Sequence, residues 1–415
     1  MLSILINAYA CSPNMGSEPG MAWNWCVNLA KYCELHIITE GEFRSKIEAV
    51  VPTLPQGKNM HFYYNPVSAK IRKMCWNQGD WRFYKHYRKW QWKTYEMAMD
   101  ICRNTHIDIL HQLNMIGFRE PGYLWKIPDI PFVWGPVDAK EKFPMAYLDG
   151  ADLKTRLFMR LKNFLTGVQL RHSKRVRLTI ERASAVISAS SNSQQSFKKY
   201  FHIDSPLLNE TGCYIQEHPL TDKTQKTSFD VLWVGKMDFR KQLALAIRSM
   251  AKTNNTNIIL HIVGGGNNTP YQALARVLNI NNQCKWHGAI PHEEVQRIMQ
   301  KSDLFFFTSV AEGTPHVVLE AIGNNLPVLC FNTCGQGDAV NEKVGHKIEL
   351  TNPQQSVKEF AEALNRFEKD RELLKECSLN CKARQQELSW ENKAKQMVEL
   401  YYMCIKNYKL ICHKQ

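Results

Sequence analysis

Along the chain, short runs that are apolar on both faces alternate with longer amphipathic segments, and this alternation occurs twice. The first series holds "LSILINAY", "ELHIITE", "IDILHQL", "IPFVWGP" and "ASAVISAS"; the second holds "FDVLWVG", "NIILHIVG", "CKWHGAI", "DLFFFTS", "LPVLCFN" and "HKIEL". A strand with no polar face must be covered on both sides. The amphipathic segments supply that cover, so the pattern predicts parallel sheets wrapped by helices. The first series ends near Ser190, "QEHPLTDKTQKTS" (216–228) reads as a linker, and the second series begins at Phe229. Behind the last run, "SWENKAKQMVELYYMCIKNYKLI" is one long helical pattern with no strand after it. There is no repeat at solenoid periods and no low-complexity tract. The expected fold is α/β: two doubly wound domains with a cleft between them, ligands lying outside the carboxyl ends of the strands.

Composition narrows this picture. At 415 residues the chain is too long for one core, and two domains of roughly 150–200 residues are expected. A hydrophobic content of 44% with 11% aromatics excludes a disordered chain. The 13 cysteines include no Cys-x-x-Cys pair; Cys330/Cys334 and Cys377/Cys381 are each four apart, and no second pair or histidine doublet completes a zinc site. They read as reduced thiols of a cytosolic protein. The N-terminal "MLSILINAYAC" has a small residue before Cys11, as a lipoprotein signal has, but the run is short and lacks a basic flank, so a buried first strand is expected. No stretch of about 18 apolar residues is present to span a bilayer.

The stretch "SVAEGTPHVVLEAIGNNLPV" (309–328) carries the first candidate chemistry. After the strand "DLFFFTS", Thr314 suits a helix N-cap and Pro315 the first helical position, for a helix of about ten residues ending at "GNN". Such a strand–turn–helix start offers backbone N–H groups and a positive dipole end to a diphosphate. Glu312 and Glu320 cannot both face phosphates, and suit hydrogen bonds from sugar hydroxyls. A capped core helix with two solvated acids gives the same local pattern. "VLWVGKMDFRKQLALAIRSM" repeats the form: a strand ends at Gly235, Lys236, Arg240 and Lys241 follow at its exit, and a helix begins near Lys241. These cations would neutralise a diphosphate leaving group, or form a solvated basic turn. In "HIVGGGNN", Gly265 lies where a backbone approaches a ligand or simply turns.

In the first half, "NAYACSPNMGSEPGMAWNW" sets a loop from Ala10 to Pro19 behind the first strand, with Gly16 and Gly20 flanking Ser17, Glu18 and Pro19. It reads equally as a substrate-approaching loop or as an ordinary one. "DILHQLNMIGFREPG" ends a strand at His111, placed there for function or for structure, with Arg119 and Glu120 just beyond. The net charge of +14 concentrates in two segments of this half. Residues 70–93 mix eight Lys/Arg with four Trp and one acid, Asp80; residues 152–177 form a basic amphipathic helix with Phe158, Leu161 and Leu165 on one side. Both suit an anionic membrane surface, with nucleic acid as the competing ligand and core aromatics as the structural alternative.

Taken in order and spacing, "VGKMDFRKQ", "HGAIPHEEV…KSDLFFFTS" and "EGTPHVVLEAIGNNLPV" closely resemble the C-terminal half of retaining glycosyltransferases of family 4, whose fold is GT-B. The family's Glu-x7-Glu signature is here Glu312 to Glu320. "YACSPNMGSEPGMAWNW" and "HQLNMIGFREPG" resemble a bacterial branch that builds capsular, exopolysaccharide or O-antigen chains, so the resemblance covers nearly the whole chain.

The resemblance implies an acceptor-binding domain over 1–215, a nucleotide-sugar-binding domain over 226–388, and a C-terminal helix over 389–412 packing back on the first domain. It implies that Glu320 holds the ribose, and that Glu312 and the backbone of Gly313, Thr314, Pro315, His316 and Val317 hold the donor sugar and its phosphates. Lys241 matches the family's phosphate-binding lysine. Lys236 stands where the family usually has arginine, keeping the charge without the bidentate fork. Arg240 and the glycines Gly16, Gly235 and Gly265 would line the donor site. His111 matches the first-domain active-site histidine, although Leu113 replaces the second histidine of the usual His-x-His pair. No metal and no cofactor beyond the donor is expected, since Lys236, Lys241 and helix N-termini would stabilise the diphosphate as it leaves. The expected partners are a nucleotide sugar, a lipid-linked oligosaccharide acceptor and the anionic inner face of the plasma membrane, not nucleic acid. Other readings are a different GT-B enzyme such as a nucleotide-sugar epimerase, or a non-catalytic lipid- or nucleic-acid-binding descendant.

Overall fold

A computed structural model describes residues 1–77, 80–139, 142–217 and 226–412. Most of the expected linker, 218–225, lies outside the described residues. By its internal contacts the chain divides into two units. The first comprises Met1–Lys140, Val168–Glu210 and Trp390–Gln415; the second comprises Glu141–Gly167 and Thr211–Ser389.

The first unit holds strands β1 (Leu2–Ala8), β2 (Cys33–Thr39), β3 (Met60–Tyr64), β4 (Ile109–Asn114), β5 (Phe132–Val137) and β6 (Ala185–Ser188) in one sheet of order β3-β2-β1-β4-β5-β6. Every pair in it is parallel. The second unit holds β7 (Phe229–Val234), β8 (Ile258–Val263), β9 (Cys284–Gly288), β10 (Leu304–Phe307), β11 (Val328–Phe331) and β12 (Gly345–Ile348), in the order β12-β11-β10-β7-β8-β9. Numbered within its own unit, each sheet reads 3-2-1-4-5-6, the doubly wound order. The strand that the hydrophobic pattern did not mark is β3. Its "MHFYY" is mostly half-buried because it lies at the sheet's edge, so it lacks the two-faced apolar run of the inner strands.

Each sheet is sandwiched between two apolar clusters. In the second unit Val231, Trp233, Leu260, Ile262, Phe306 and Phe331 join one cluster with the helix Leu243–Thr253, while Leu232, Phe305, Phe307 and Cys330 join another with the helix His316–Gly323. Alternate residues of each strand thus face opposite helical layers, which explains their unbroken apolar character. In the first unit Ile4, Ile6, Ile37 and Ile109 face the helix Ser17–Leu29, and Leu5, Ile38, Leu110 and Trp134 face the other layer.

Two features set the division between units. Residues of 141–167, read in the sequence as part of the first domain, group with the second: Phe143, Tyr147, Leu148 and Met159 are buried in the cluster around Phe229, Val231 and Trp233. Tyr147 is fully buried, shares a 2.8 Å hydrogen bond with the Ser356 hydroxyl, and accepts one at its carbonyl from Gln242 Nε2 at 2.6 Å. The C-terminal helix Trp390–Cys412 belongs to the first unit. Trp390, Ala394, Met397, Tyr401 and Cys404 form its buried stripe, and Trp390 meets Trp25 edge-on at 5.6 Å between ring centres. The described cysteines are all free. Among the described residues no helix is long and apolar enough to cross a membrane.

Candidate active site

In the second unit the sheet order reverses direction at β7 and β10. The helix after β7 packs on one face and the helix after β10 on the other, so the two loops at the carboxyl ends of these strands part and leave their backbones open. Both conspicuous motifs of the second half sit on those loops.

Buried hydrogen bonds stitch the two loops together. Trp233 Nε1 donates to Thr308 Oγ1 at 3.0 Å, and that hydroxyl donates on to the Lys241 carbonyl at 2.8 Å. Val310 N donates to the Arg240 carbonyl at 3.0 Å, and Gln336 Nε2 donates to the Ser309 carbonyl at 3.0 Å. On this frame Lys241 Nζ pairs with Glu312 Oε1 at 2.7 Å, with both side chains less than a fifth exposed, and Ser309 Oγ donates to the same oxygen at 2.6 Å. The ammonium also lies 5.2 Å from the centre of the Phe307 ring. Arg240 is held by Asp238, Nη2 to Oδ2 at 2.8 Å, and Lys236 is exposed at the start of the same loop.

The helix after β10 starts one residue later than the sequence suggests. It runs His316–Gly323 with Pro315, not Thr314, at the N-cap, and no side chain caps it. Pro315 keeps an extended ψ of 118°, while Thr314 packs against the next turn: a Cβ on Gly335 would fall 2.5 Å from Thr314 Cα and Oγ1, and Gly335 N donates to the Gly313 carbonyl at 3.0 Å. His316 is exposed and Val317 half-buried at the first turn, with Gly313 and Thr314 leading into it. Just over a turn on, Glu320 accepts from Gln296 Nε2 at 3.2 Å. Burial raises the Glu320 carboxyl above its ordinary range, opposed by His292 and by the Gln296 hydrogen bond. His292 and Gln296 belong to the helix His292–Lys301. Neither was singled out in the sequence, although His292 lies within "HGAIPHEEV".

The glycines demanded by close approach are neighbours of those expected. Gly264, with φ +145°, brings its α-carbon against the Gly235 carbonyl, and a Cβ there would fall 1.8 Å from that oxygen. A Cβ on Gly265 would meet only Ala289 at 3.6 Å, an ordinary contact, and what Gly265 supplies is its carbonyl, which accepts from Met237 N at 3.0 Å. The same displacement occurs in the first unit. Gly16 caps the helix Ser17–Leu29 in open space, whereas a Cβ on Gly20 would fall 1.7 Å from the Met15 carbonyl.

The first unit has its own switch point at β1 and β4. Asn7 Nδ2 donates to Gln91 Oε1 at 2.6 Å and to Gln112 Oε1 at 2.9 Å, and Asn114 Nδ2 donates to the Ala10 carbonyl at 2.7 Å. A pocket of about 130 Å³ opens beside this network, lined by Tyr9, Phe43 and Trp76 and by Glu18, Glu40 and Glu42. Glu18 Oε1 accepts from Ile116 N at 3.1 Å, while Oε2 is buried and unpartnered. Burial lifts this carboxyl to about 7 against the pull of the Ile116 amide, and Glu210 and Asp138 add to the rise. Glu40 is fixed by Arg72 at 2.9 Å.

His111 is not brought to either edge. β4 continues past it to Asn114, and the ring is fully buried. Nε2 lies 2.6 Å from the Gly135 carbonyl, which can only accept, so Nε2 carries the proton; Nδ1 then accepts from Tyr401 Oη at 2.6 Å. Both nitrogens are spent inside the fold, and His111 joins the sheet to the C-terminal helix. Arg119 donates through Nε to Gln169 Oε1 at 2.6 Å, and Glu120 is clamped by Arg88 and Arg175.

The model of the family described as "Glycosyl transferases group 1" matches residues 217–384. Protein CapJ of Staphylococcus aureus is 31% identical over 102 residues, covering 24% of this chain and 26% of CapJ. The lipopolysaccharide 1,6-galactosyltransferase of Escherichia coli is 29% identical over 135 residues, covering 31% of this chain and 37% of the relative. The chain thus spans well under half the length of these curated relatives. Among solved structures, the lipopolysaccharide outer core galactosyltransferase WaaB matches with a TM-score of 0.64 at 16% identity, over 97% of this chain and 99% of that one. HepE of Anabaena in complex with UDP matches with a TM-score of 0.59 at 15% identity, over 96% and 99%. Likeness at these identities speaks to the fold, and together with the two six-stranded parallel sheets it is GT-B.

The burial of His111 has a measurable consequence. Burial lowers its pKa to about 4, against the partial rise given by the Gly135 carbonyl. The unfolded chain, with a histidine near 6.5, takes up this proton first as pH falls. Stability from this group is therefore complete above about pH 6.5 and is lost progressively toward pH 4, by about 3 kcal/mol over the whole window. Hydrogen exchange of the β4 amides should show that slope, and His111→Gln should flatten it. An unchanged slope in the variant contradicts the assignment.

Proposed function

We infer, from the match of residues 217–384 to the glycosyl transferases group 1 model and from the GT-B fold, that the protein moves a sugar from a nucleoside-diphosphate donor onto an acceptor in surface-polysaccharide synthesis. The observation that carries the reading is the Lys241–Glu312 pair at the carboxyl edge of β7 and β10, beside the start of the helix His316–Gly323. An ammonium has three donors, so Lys241 can keep Glu312 and take a phosphate oxygen at once. Lys236, Lys241 and the N–H groups of the helix start would stabilise the diphosphate as the anomeric bond breaks, with no metal required. Glu320, half-buried and raised toward neutrality, suits a ribose hydroxyl, and Glu312 the donor sugar. Both glutamates serve the donor. The acid and base flanking a bond that water attack needs are not what they form, which favours transfer over hydrolysis; the resemblance to retaining glycosyltransferases implies that the acceptor enters on the leaving group's own face, with configuration retained.

On the acceptor side, the pocket of the first unit joins aromatic faces (Tyr9, Phe43, Trp76) to carboxylates (Glu18, Glu40, Glu42), the pairing that suits a sugar ring with its hydroxyls. A lipid-linked oligosaccharide fits the exposed surface. The helix Leu153–His172 presents Leu153, Leu157, Phe158, Leu161, Phe164 and Leu165 to solvent among Lys154, Arg156 and Arg160. Trp76, Trp81 and Trp92 are likewise exposed, whereas Phe83, Tyr87 and Trp90 form a cluster with Tyr9 and are core. Apolar side chains ringed by cations suit the inner leaflet of the plasma membrane.

Three outcomes test this reading. Glu320→Ala should abolish nucleotide-sugar binding in calorimetry, and unchanged affinity would sink the ribose assignment. Transfer should survive EDTA, whereas a loss restored by a divalent ion overturns the metal-free mechanism. The protein should sediment with anionic vesicles and release as salt rises through the range where the screening length falls below about 10 Å; equal binding to neutral vesicles contradicts the membrane role.

A further inference from the structure

We propose that the edge of the first sheet carries a binding site for a borderline divalent metal such as zinc, nickel or cobalt, built from Glu34, His36 and His61. The three residues offer ligand atoms that all lie within 4.8 Å of one another. Glu34 and His36 are two apart on β2, and His61 lies opposite His36 in the register of β3, so the pleat turns all three to one face. The two imidazole rings stack with centres 5.0 Å apart and planes 24° from parallel.

His36 is only 5% exposed, and its Nε2 is buried with no partner. Its other nitrogen lies 3.1 Å from Tyr63 Oη, two residues beyond His61 on the same face of β3. Donation from Nδ1–H to that hydroxyl leaves the Nε2 lone pair for a metal, the outer contact that fixes the tautomer of a ligating histidine.

His61 Nε2 lies 3.0 Å from Glu34 Oε1, with the two side chains 41% and 47% exposed. A metal entering from solvent would take both atoms, with the single proton of the neutral His61 ring carried on Nδ1 so that the Nε2 lone pair faces the ion. Two nitrogens and one carboxylate oxygen with a side open to water make a three-ligand set of the borderline class, not a magnesium or calcium cage. Bond lengths of about 2.0–2.2 Å ask for ligand atoms about 3.4 Å apart, which small side-chain rotations reach from here. The ion would tie edge strand β3 to β2. Because the set is split between two strands, no spacing motif discloses it. The inference is independent of the transfer reading, since none of these residues belongs to the donor or acceptor groups.

Cobalt(II) titration of the full chain, with thiols kept reduced, tests it. One equivalent should bind with d–d absorption of a nitrogen–oxygen site and without a sulfur-to-cobalt charge-transfer band. His36→Ala and His61→Ala should each abolish the signal, and Tyr63→Phe should weaken affinity about tenfold or more. His61 is half-exposed, so its variant stays informative even if His36→Ala fails to fold. No binding, binding retained in His61→Ala, or a charge-transfer band that assigns the cobalt to cysteines each overturns the proposal.

Discussion

The constraint on which the rest depends is the reversal of strand order at β7 and β10. Right-handed crossovers force the helix after one strand onto one face and the helix after its neighbour onto the other. The loops that begin these crossovers must part, and they part at the carboxyl edge, where helix N-termini point outward. The opposed clusters containing Leu243 and Ile247 on one side and Val318 and Ile322 on the other are the packing expression of that rule. Lys236, Lys241, Glu312 and the start of the helix His316–Gly323 all lie on those two loops or at their ends.

A crevice of this kind is indifferent chemistry until charge is fixed in it. The Trp233–Thr308–Lys241 relay and the Arg240–Val310 contact hold the loops in register, and only then does Lys241 meet Glu312 and Ser309. A partly buried ammonium without a counter-charge would be costly. Glu312 supplies the counter-charge and aims the lysine. Close backbone approach completes the frame, since any side chain at Gly264 or Gly335 would collide with the loop it supports.

Much of this was legible in the sequence, for identifiable reasons. "DLFFFTS" and "FDVLWVG" announce themselves because strands covered on both faces leave no room for polar residues. "MHFYY" hides because an edge strand need not be apolar. The sequence pattern puts the helix start one residue early because Thr314 looks like a cap, yet its side chain is taken up against Gly335, a contact that no local pattern encodes. Which glycine of "GGG" is pressed depends on the neighbouring loop at Gly235, a contact the local sequence does not encode. His111 looked functional by position on β4, but Tyr401 arrives from almost three hundred residues downstream to occupy it. The grouping of 141–167 with the second unit likewise rests on long-range burial of Tyr147, invisible to periodicity.

In the function proposed above, the Lys241 loop and the helix beginning at His316 receive a nucleoside diphosphate. Thermal unfolding across a panel of nucleoside mono- and diphosphates measures this most directly, because a ligand that binds only the folded state raises its stability in proportion to the logarithm of its concentration. At least one diphosphate should raise the melting temperature saturably, its monophosphate should do so far less, and Lys241→Ala should remove the difference. A panel without any diphosphate-dependent shift, or a shift that Lys241→Ala leaves intact, would contradict it.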